Sequence, residues 1–433
     1  MATRGAGTRT AAGLIVGTVL ALAGTGASSA AGTIGGTVSV VGVWGGAELD
    51  SFNAMVKPFE DRTGTRVEFQ GTRDLSAVLT TRVQGGNPPD VAALPNPGQL
   101  TPFVRAHALK PLSRVLDMSR VGREYPPSWL DVGRVGGEPY AIVVKTALKG
   151  LVWYDPKTLA AAHITPPRRW ADFAALTDRL AARGTTPWCL GLASGATSGW
   201  PATDWIDMLL LRAAGPAAHD AWVRHTMPWT APSVRQAWEQ FGRIATNPKA
   251  VYGGPQGVLA TQFNEAPFPM FATPPRCLFH LQATFIEDFI EKQFPAVRPG
   301  TDLAFVPFPQ IAPQYAAVAQ VGGDVFGMFR DTPQARALMQ YLVTADAQAI
   351  WVKRGGALSA NKGVPLADYP DVLSRRAAEV LTRASVARFG AGDLMPPAVT
   401  TAFYKGTLDY IAHPDRLDEI LRHLEAVARD AYK

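Results

Sequence analysis

The chain has 433 residues, of which 47% are hydrophobic and 18% are charged. It is therefore long enough for two or three domains and too apolar to be disordered throughout. Its 42 Lys and Arg against 36 Asp and Glu give a net charge of +6. Acidic and basic residues are interspersed, which argues against a nucleic-acid-binding arm or a polybasic membrane patch.

The first 31 residues have the features of a secretory signal peptide. Arg4 and Arg9 precede the apolar run 11–23, which is shorter than the roughly 20 residues that span a bilayer. Small residues follow the run, and we expect cleavage after Ala30 or Ala31; an uncleaved signal anchor is the alternative. No cysteine lies nearby to carry a lipid. The sequence thus predicts an extracytoplasmic protein, whether secreted, periplasmic or associated with the cell surface.

Two cysteines, Cys189 and Cys277, lie in the predicted mature chain. An even number of cysteines in an exported protein favours one disulfide. Two buried free thiols are the alternative.

The start of the mature chain shows the alternation of strands and helices that is typical of α/β folds. The predicted strands are 36–43, 66–70 and 90–94, and the predicted helices between them are 48–63 and 76–84. This βαβαβ order with short turns predicts a doubly wound sheet whose binding loops follow the carboxyl ends of the strands.

The same alternation returns later in the chain. The predicted strands there are 140–144, 150–154, 302–307 and 325–329, and the predicted helices are 170–183, 203–214, 233–245, 332–343 and 415–432. We therefore expect two α/β lobes, between which the chain crosses more than once.

Motifs for chemistry are mostly lacking. The chain has no phosphate-binding loop, no HExxH, no GxSxG and no EF-hand loop. His219 and His225 are six apart, which is not a metal-ligand spacing on one helical face, and we expect no metal and no cofactor. Two carboxylates could still converge in space for glycoside hydrolysis, so a secreted glycoside-acting enzyme stays open as an alternative.

Aromatic residues beside polar ones provide the positive signal. Trp44 ends a predicted strand, Trp200 and Trp205 flank Asp204, and Phe285 follows Gln282. A pyranose stacks its apolar face on an aromatic ring while its hydroxyl groups bind polar side chains, so this pattern favours a sugar site. The alternative for each tryptophan is a place in the core.

Eight segments in register resemble the extracytoplasmic solute-binding proteins of ABC importers, in the carbohydrate group, and most of all those for α-glucosides and maltose-type oligosaccharides. The segments are 38–64, 86–98, 187–205, 251–271, 274–285, 321–329, 351–364 and 392–399. Both cysteines lie in matching segments, PWC and PPRC, which supports the disulfide. The lipoprotein cysteine of many Gram-positive members is missing.

The resemblance implies a two-lobed periplasmic-binding-protein-like fold with a ligand cleft between lobes joined by a three-segment hinge. The predicted N-terminal lobe comprises 36–147 plus 322–359, and the C-terminal lobe comprises 148–321 plus 360–433. We expect the chain to cross near 145–150, 320–323 and 358–362.

The function that the resemblance implies is capture of a carbohydrate and its delivery to the transmembrane subunits of an ABC permease, by a monomer without catalysis and without nucleic acid. A receptor for a non-sugar solute, such as a polyamine or a metal, is a further alternative. The expected sugar-binding residues are Trp44, Glu48, Arg73, Asp74, Lys145, Trp200, Asp204, Trp205, Gln282, Phe285, Gly323, Asp324 and Arg354.

Overall fold

The computed structural model describes residues 33–433, so the predicted signal peptide lies outside the described residues. The strands are β1 (Thr37–Gly42), β2 (Arg66–Gly71), β3 (Val91–Leu94), β4 (Arg134–Val135), β5 (Glu138–Pro139), β6 (Ala141–Leu148), β7 (Leu151–Tyr154), β8 (Trp188–Cys189), β9 (Phe279–Gln282), β10 (Ala304–Pro307), β11 (Val318–Met328) and β12 (Val386–Phe389). The helices are α1 (Ala47–Thr63), α2 (Leu75–Gln84), α3 (Leu100–Arg105), α4 (Met118–Glu124), α5 (Pro127–Asp131), α6 (Pro156–Ala161), α7 (Trp170–Ala182), α8 (Trp200–Val223), α9 (Pro232–Ala245), α10 (Gly254–Ala260), α11 (Ile286–Gln293), α12 (Pro333–Leu342), α13 (Ala345–Val352), α14 (Val372–Arg383), α15 (Ala391–Leu394), α16 (Pro397–Ala412) and α17 (Leu417–Ala431).

The N-terminal lobe is built on a six-stranded sheet. Five strands follow one another in the order β12-β11-β3-β1-β2. The sixth strand, β6, lies outside this order and pairs antiparallel with β11. Strands β1, β2 and β3 are parallel, as the predicted βαβαβ order requires. Helix α1 buries Phe52, Met55, Val56 and Phe59, a spacing that places them on one face toward the sheet.

The C-terminal lobe is built on a four-stranded sheet with the order β10-β7-β9-β8. Strand β9 is parallel to β8 and antiparallel to β7, so this sheet is mixed. Helices α7, α8, α9, α16 and α17 contribute their apolar faces to the core of this lobe, among them Trp205, Trp222 and Trp238. Cys189 and Cys277 form a disulfide in this lobe, as predicted.

The three predicted crossing segments lie side by side. Leu148 and Thr146 of β6 pair with Val321 and Gly323 of β11. Thr146 also exchanges two backbone hydrogen bonds with Leu358, at 2.9 and 2.8 Å. The hinge is therefore a ribbon of three adjacent segments, and the chain has the two-lobed fold that was predicted.

One strand joins the first sheet from a part of the chain that was assigned to the C-terminal lobe. Val386–Phe389 (β12) pairs with Val318–Val321 at the hinge end of β11. The lobe boundaries themselves remain a prediction.

Several elements are longer than predicted. Strand β6 continues to Leu148 and β11 begins at Val318, so each reaches through the hinge instead of ending before it. Helix α8 begins at Trp200 and continues past a break at Gly215. Across residues 33–433, no helix combines the length and the apolar character needed to cross a membrane.

Candidate functional site

A cavity of about 120 Å³ lies between the lobes, against the hinge. Three of the residues that line it follow parallel strands: Trp44 comes after β1, Arg73 after β2 and Asn96 after β3. In the C-terminal lobe, Phe285 lies just beyond β9. Residues at the carboxyl ends of strands from both sheets thus face one space, which is where open α/β sheets bind ligands.

Lys145 is the charged centre of the N-terminal side. Its ammonium group is buried, forms a short hydrogen bond with Glu48 and lies 3.9 Å from a carboxylate oxygen of Asp324. Burial alone would lower the pKa of Lys145, but the carboxylates of Glu48 and Asp324 raise it above its ordinary value. Burial raises the pKa of Asp324 to about 6.

The same lysine also contacts aromatic rings from both lobes. Its Nζ lies 5.6 Å from the ring centroids of Trp44 and Phe285 and 5.1 Å from that of Trp351. A cation at this distance is attracted to the ring face. Lys145 therefore contacts both the aromatic residues and the carboxylates on this side of the cavity.

A second buried lysine, Lys149, binds two carboxylates of the C-terminal side. Its Nζ is 2.7 Å from Asp204 and 2.7 Å from Asp393. Burial raises the pKa of Asp204 to about 7; the Asp393 carboxylate adds to this rise, whereas the Lys149 ammonium group opposes it. The pKa of Lys149 is raised, since the two carboxylates outweigh the opposing effect of burial.

Contacts between the lobes close the cavity on one side. The Asn96 amide donates to Asp393 at 3.0 Å and to the Tyr404 hydroxyl at 3.2 Å. The Arg73 guanidinium lies 4.9 Å from the centroid of Phe263. These contacts join loops of the N-terminal sheet to α15, α16 and a loop of the C-terminal lobe.

Trp200 is placed in the cavity wall by a glycine. Gly199 precedes α8 with φ 102°, and a Cβ there would lie 2.3 Å from the backbone oxygen of Tyr404. Only glycine allows this approach without displacing a backbone. The half-buried indole of Trp200 then packs near Phe263, at 5.2 Å between ring centroids, and Phe285, at 6.1 Å.

The structure brings together many of the side chains predicted from the sequence. Those that line the cavity are Trp44, Glu48, Arg73, Lys145, Trp200, Phe285, Gly323 and Asp324. Trp44 also belongs to the core of its lobe, since it is 2% exposed and lies 4.9 Å from Trp351. Asp204 is one contact further back, behind Lys149.

The remaining predicted residues are not brought to the cavity. Trp205 is in the core, 4.9 Å from Trp188 between ring centroids. The Gln282 side chain is buried and accepts from the next backbone N–H. Asp74 is exposed at the start of α2, and Arg354 donates to Ser51 at 3.1 Å.

Comparison with known proteins settles the family. The family described as bacterial extracellular solute-binding protein matches residues 45–349, more than half of the chain. The chain belongs to this family.

Curated relatives cover nearly the whole chain. The osmoprotective compounds-binding protein GgtB of Synechocystis sp. is 38% identical over 378 residues, which are 87% of this chain and 89% of that protein. The α-glucosides-binding periplasmic protein AglE of Rhizobium meliloti is 32% identical over 398 residues, 88% of this chain and 84% of that protein. The solved bacterial solute receptor AcbH, which prefers β-D-galactopyranose, has the same fold, with a TM-score of 0.79, 19% identity and coverage of 92% of this chain and 100% of AcbH.

Five residues that line the cleft cavity of this chain were not predicted from the sequence. Lys149, Asn96, Phe263, Asp393 and Tyr404 line it and come from five separate segments. A signal existed for three of them: Asn96, Phe263 and Asp393 lie in the segments 86–98, 251–271 and 392–399 that carry the family resemblance. Lys149 lies in the predicted crossing near 145–150, and nothing local marks Tyr404 as a cavity residue.

Proposed function

We propose that the protein captures a carbohydrate outside the cytoplasm, in the cavity between its lobes, and delivers it to the permease of an ABC importer. The observation that carries this proposal is that three aromatic residues, Trp44, Trp200 and Phe285, line one cavity together with two buried lysines. The lysines are Lys145 and Lys149, and each is paired with carboxylates. The family and its curated relatives support it.

The chemistry of the cavity suits a neutral polyol. The half-buried rings of Trp200 and Phe285 offer apolar surface for the C–H face of a sugar ring. Carboxylates such as Glu48 accept hydrogen bonds from hydroxyl groups, whereas Lys145 and Lys149 donate to them. Because carboxylate and ammonium groups are balanced around it, the cavity favours a ligand without net charge.

The size of the cavity favours a small ligand. Its volume of about 120 Å³ is below the roughly 300 Å³ at which drug-sized sites begin. We propose a ligand with one sugar ring at this position, such as a simple α-glucoside. The names of AglE and GgtB point to α-glucosides and osmoprotective compounds as the classes to test first.

The alternatives fit less well. A polyamine or metal receptor needs free carboxylates, but the carboxylates that line this cavity each contact a lysine: Glu48 and Asp324 contact Lys145, and Asp393 contacts Lys149. The same pairing leaves the acids poorly placed for the proton transfer of a glycoside hydrolase. We therefore propose a binding protein without catalytic activity, acting as a monomer.

A panel of ligands tests this function on the mature chain. Methyl α-glucoside, maltose, sucrose, trehalose and a glucosylated polyol are compared with β-glucosides and spermidine in melting experiments. A ligand at 100 times its Kd stabilises by about 2.7 kcal/mol, which corresponds to about 5–11 °C for a domain of roughly 150–250 residues. We expect stabilisation by an α-glucoside with no product by chromatography. Stabilisation by spermidine alone, or release of glucose, would contradict the proposal.

A further inference from the structure

A second and larger cavity lies on the hinge, beside the cleft. It has a volume of about 630 Å³. The crossing between β6 and β7 (148–151) and the first residues of β11 form its floor, and α8 and α14 form its sides. Lys149 lines this cavity as well as the cleft.

The lining of this hinge cavity is strongly basic. Four arginines line it, Arg212 on α8 and Arg375, Arg376 and Arg383 on α14. Glu379 is the acid that lines it, and it lies 3.3 Å from Arg383. Lys149 is already neutralised by two carboxylates. The hinge cavity therefore has an excess of positive charge.

Arg212 is the most informative of these residues. It is 5% exposed, and among residues 33–433 its charge is not compensated by any carboxylate. Its Nη1 donates to the backbone oxygens of Tyr315 and Ala316, while its buried Nε lacks a hydrogen-bond partner among the described residues. Burial lowers the pKa of Arg212 to about 10. A buried charge without a counter-charge is costly in a native protein. Because Arg212 lies beside a cavity, an anion bound there would supply the counter-charge.

The arginines of α14 retain donors toward the same space. Arg375 uses Nη1 on the Tyr369 backbone oxygen at 2.8 Å, and the guanidinium of Arg376 lies 5.2 Å from the centroid of Phe305. A guanidinium has five N–H donors in a planar fork, so each of these contacts leaves several N–H groups free to bind an oxyanion.

We propose that the hinge cavity is a binding site for a small multivalent oxyanion, with phosphate or carboxylate groups held between Arg212 and the arginines of α14. Its volume lies within the range of roughly 300–1,000 Å³ of small-molecule sites. The site is separate from the sugar cleft, because Arg212 and α14 do not line the cleft.

Calorimetric titration of the mature chain with sodium pyrophosphate tests the site, at an ionic strength held constant with sodium chloride. Orthophosphate and citrate are titrated in parallel, and they show whether phosphate or carboxylate groups are preferred. The variants are Arg212→Gln and the double variant Arg375→Gln/Arg376→Gln. Arg422→Gln is the matched control, since Arg422 is an exposed arginine on α17 outside the cavity.

We expect binding of pyrophosphate or citrate that is weakened at least tenfold in the double variant and less than twofold in the control. Arg212→Gln should weaken it similarly; if its melting curve shows that it does not fold, the double variant on the exposed face of α14 decides. Failure of both anions to bind at millimolar concentration would overturn the proposal. Equal weakening in Arg422→Gln would overturn it too, because it would show a general charge effect.

Discussion

Trp200 and Trp205 are five residues apart on α8, yet they lie in different environments. Trp200 is half-buried and lines the cleft cavity, whereas Trp205 is 1% exposed in the core. We expect Trp200→Ala to weaken sugar binding by about 2–4 kcal/mol, the range of an aromatic hot spot. This corresponds to about 30- to 1,000-fold in Kd.

The matched variant Trp205→Ala should show the reverse. Its indole lies 4.9 Å from Trp188 and 6.0 Å from Phe241 between ring centroids. Truncation of a core tryptophan costs about 3–5 kcal/mol of the free energy of unfolding, or roughly 6–20 °C in Tm for a domain of about 150–250 residues. Binding should persist below the lowered Tm.

Calorimetric titration and melting curves on both variants decide the matter. The ligand is the sugar that most stabilises the unmodified chain. The reasoning is refuted if Trp200→Ala binds normally and melts many degrees lower, because Trp200 would then be a core residue.

Further predictions concern the disulfide, the hinge charges and closure. Thiol titration of the denatured, unreduced protein should find almost no free thiol from Cys189 and Cys277; two per chain would disprove the bond. Lys149→Met leaves Asp204 and Asp393 without their cation, so we expect a loss of about 3–5 kcal/mol of the free energy of unfolding. Adding Asp204→Asn to this variant should restore part of the loss. Equal Tm values for the single and the double variant would contradict this. Burial raises the pKa of Asp204 from 3.8 in the unfolded chain to about 7 in the native state, so the native state binds the proton more tightly. The free energy of unfolding should therefore fall as pH rises from about 4 to 7. In denaturant titrations, Asp204→Asn should make this pH dependence weaker. Small-angle scattering should give a smaller radius of gyration with sugar than without it, and no change at saturation would argue against closure.

The first sheet was largely predictable from the sequence, because its signals are local. The runs 36–43, 66–70 and 90–94 are rich in β-branched or apolar residues and are separated by helical spacing, and the structure has β1, β2 and β3 there. Their parallel order then places Trp44, Arg73 and Asn96 at one edge of the sheet. The position of the cleft therefore follows from the pattern of strands.

The hinge was harder to predict, because its glycines do not end a strand. Gly322 and Gly323 lie inside β11, where the sequence suggested a boundary. A Cβ on Gly323 would lie 2.4 Å from the backbone oxygen of Lys145. The glycine is required by the close approach of another segment, and no local pattern shows that.

The position of Trp205 in the core has a geometric cause. The helix predicted from 203 placed Trp200 before the helix and Trp205 inside it. Because α8 begins at Trp200, five residues turn the direction of the side chain by about 140° at 100° per residue. Lys149 and its partner Asp393 were missed because they are 244 residues apart in the chain, and only the folded structure brings them together.

A crystal structure of the mature chain with the best-binding sugar tests the central claim most directly. The account predicts one sugar ring between the lobes, stacked on Trp200 or Phe285, with hydroxyl groups within hydrogen-bond distance of Lys145, Glu48 or Asp393. A sugar bound at any other place on the molecule, with the cleft cavity unchanged, would contradict it.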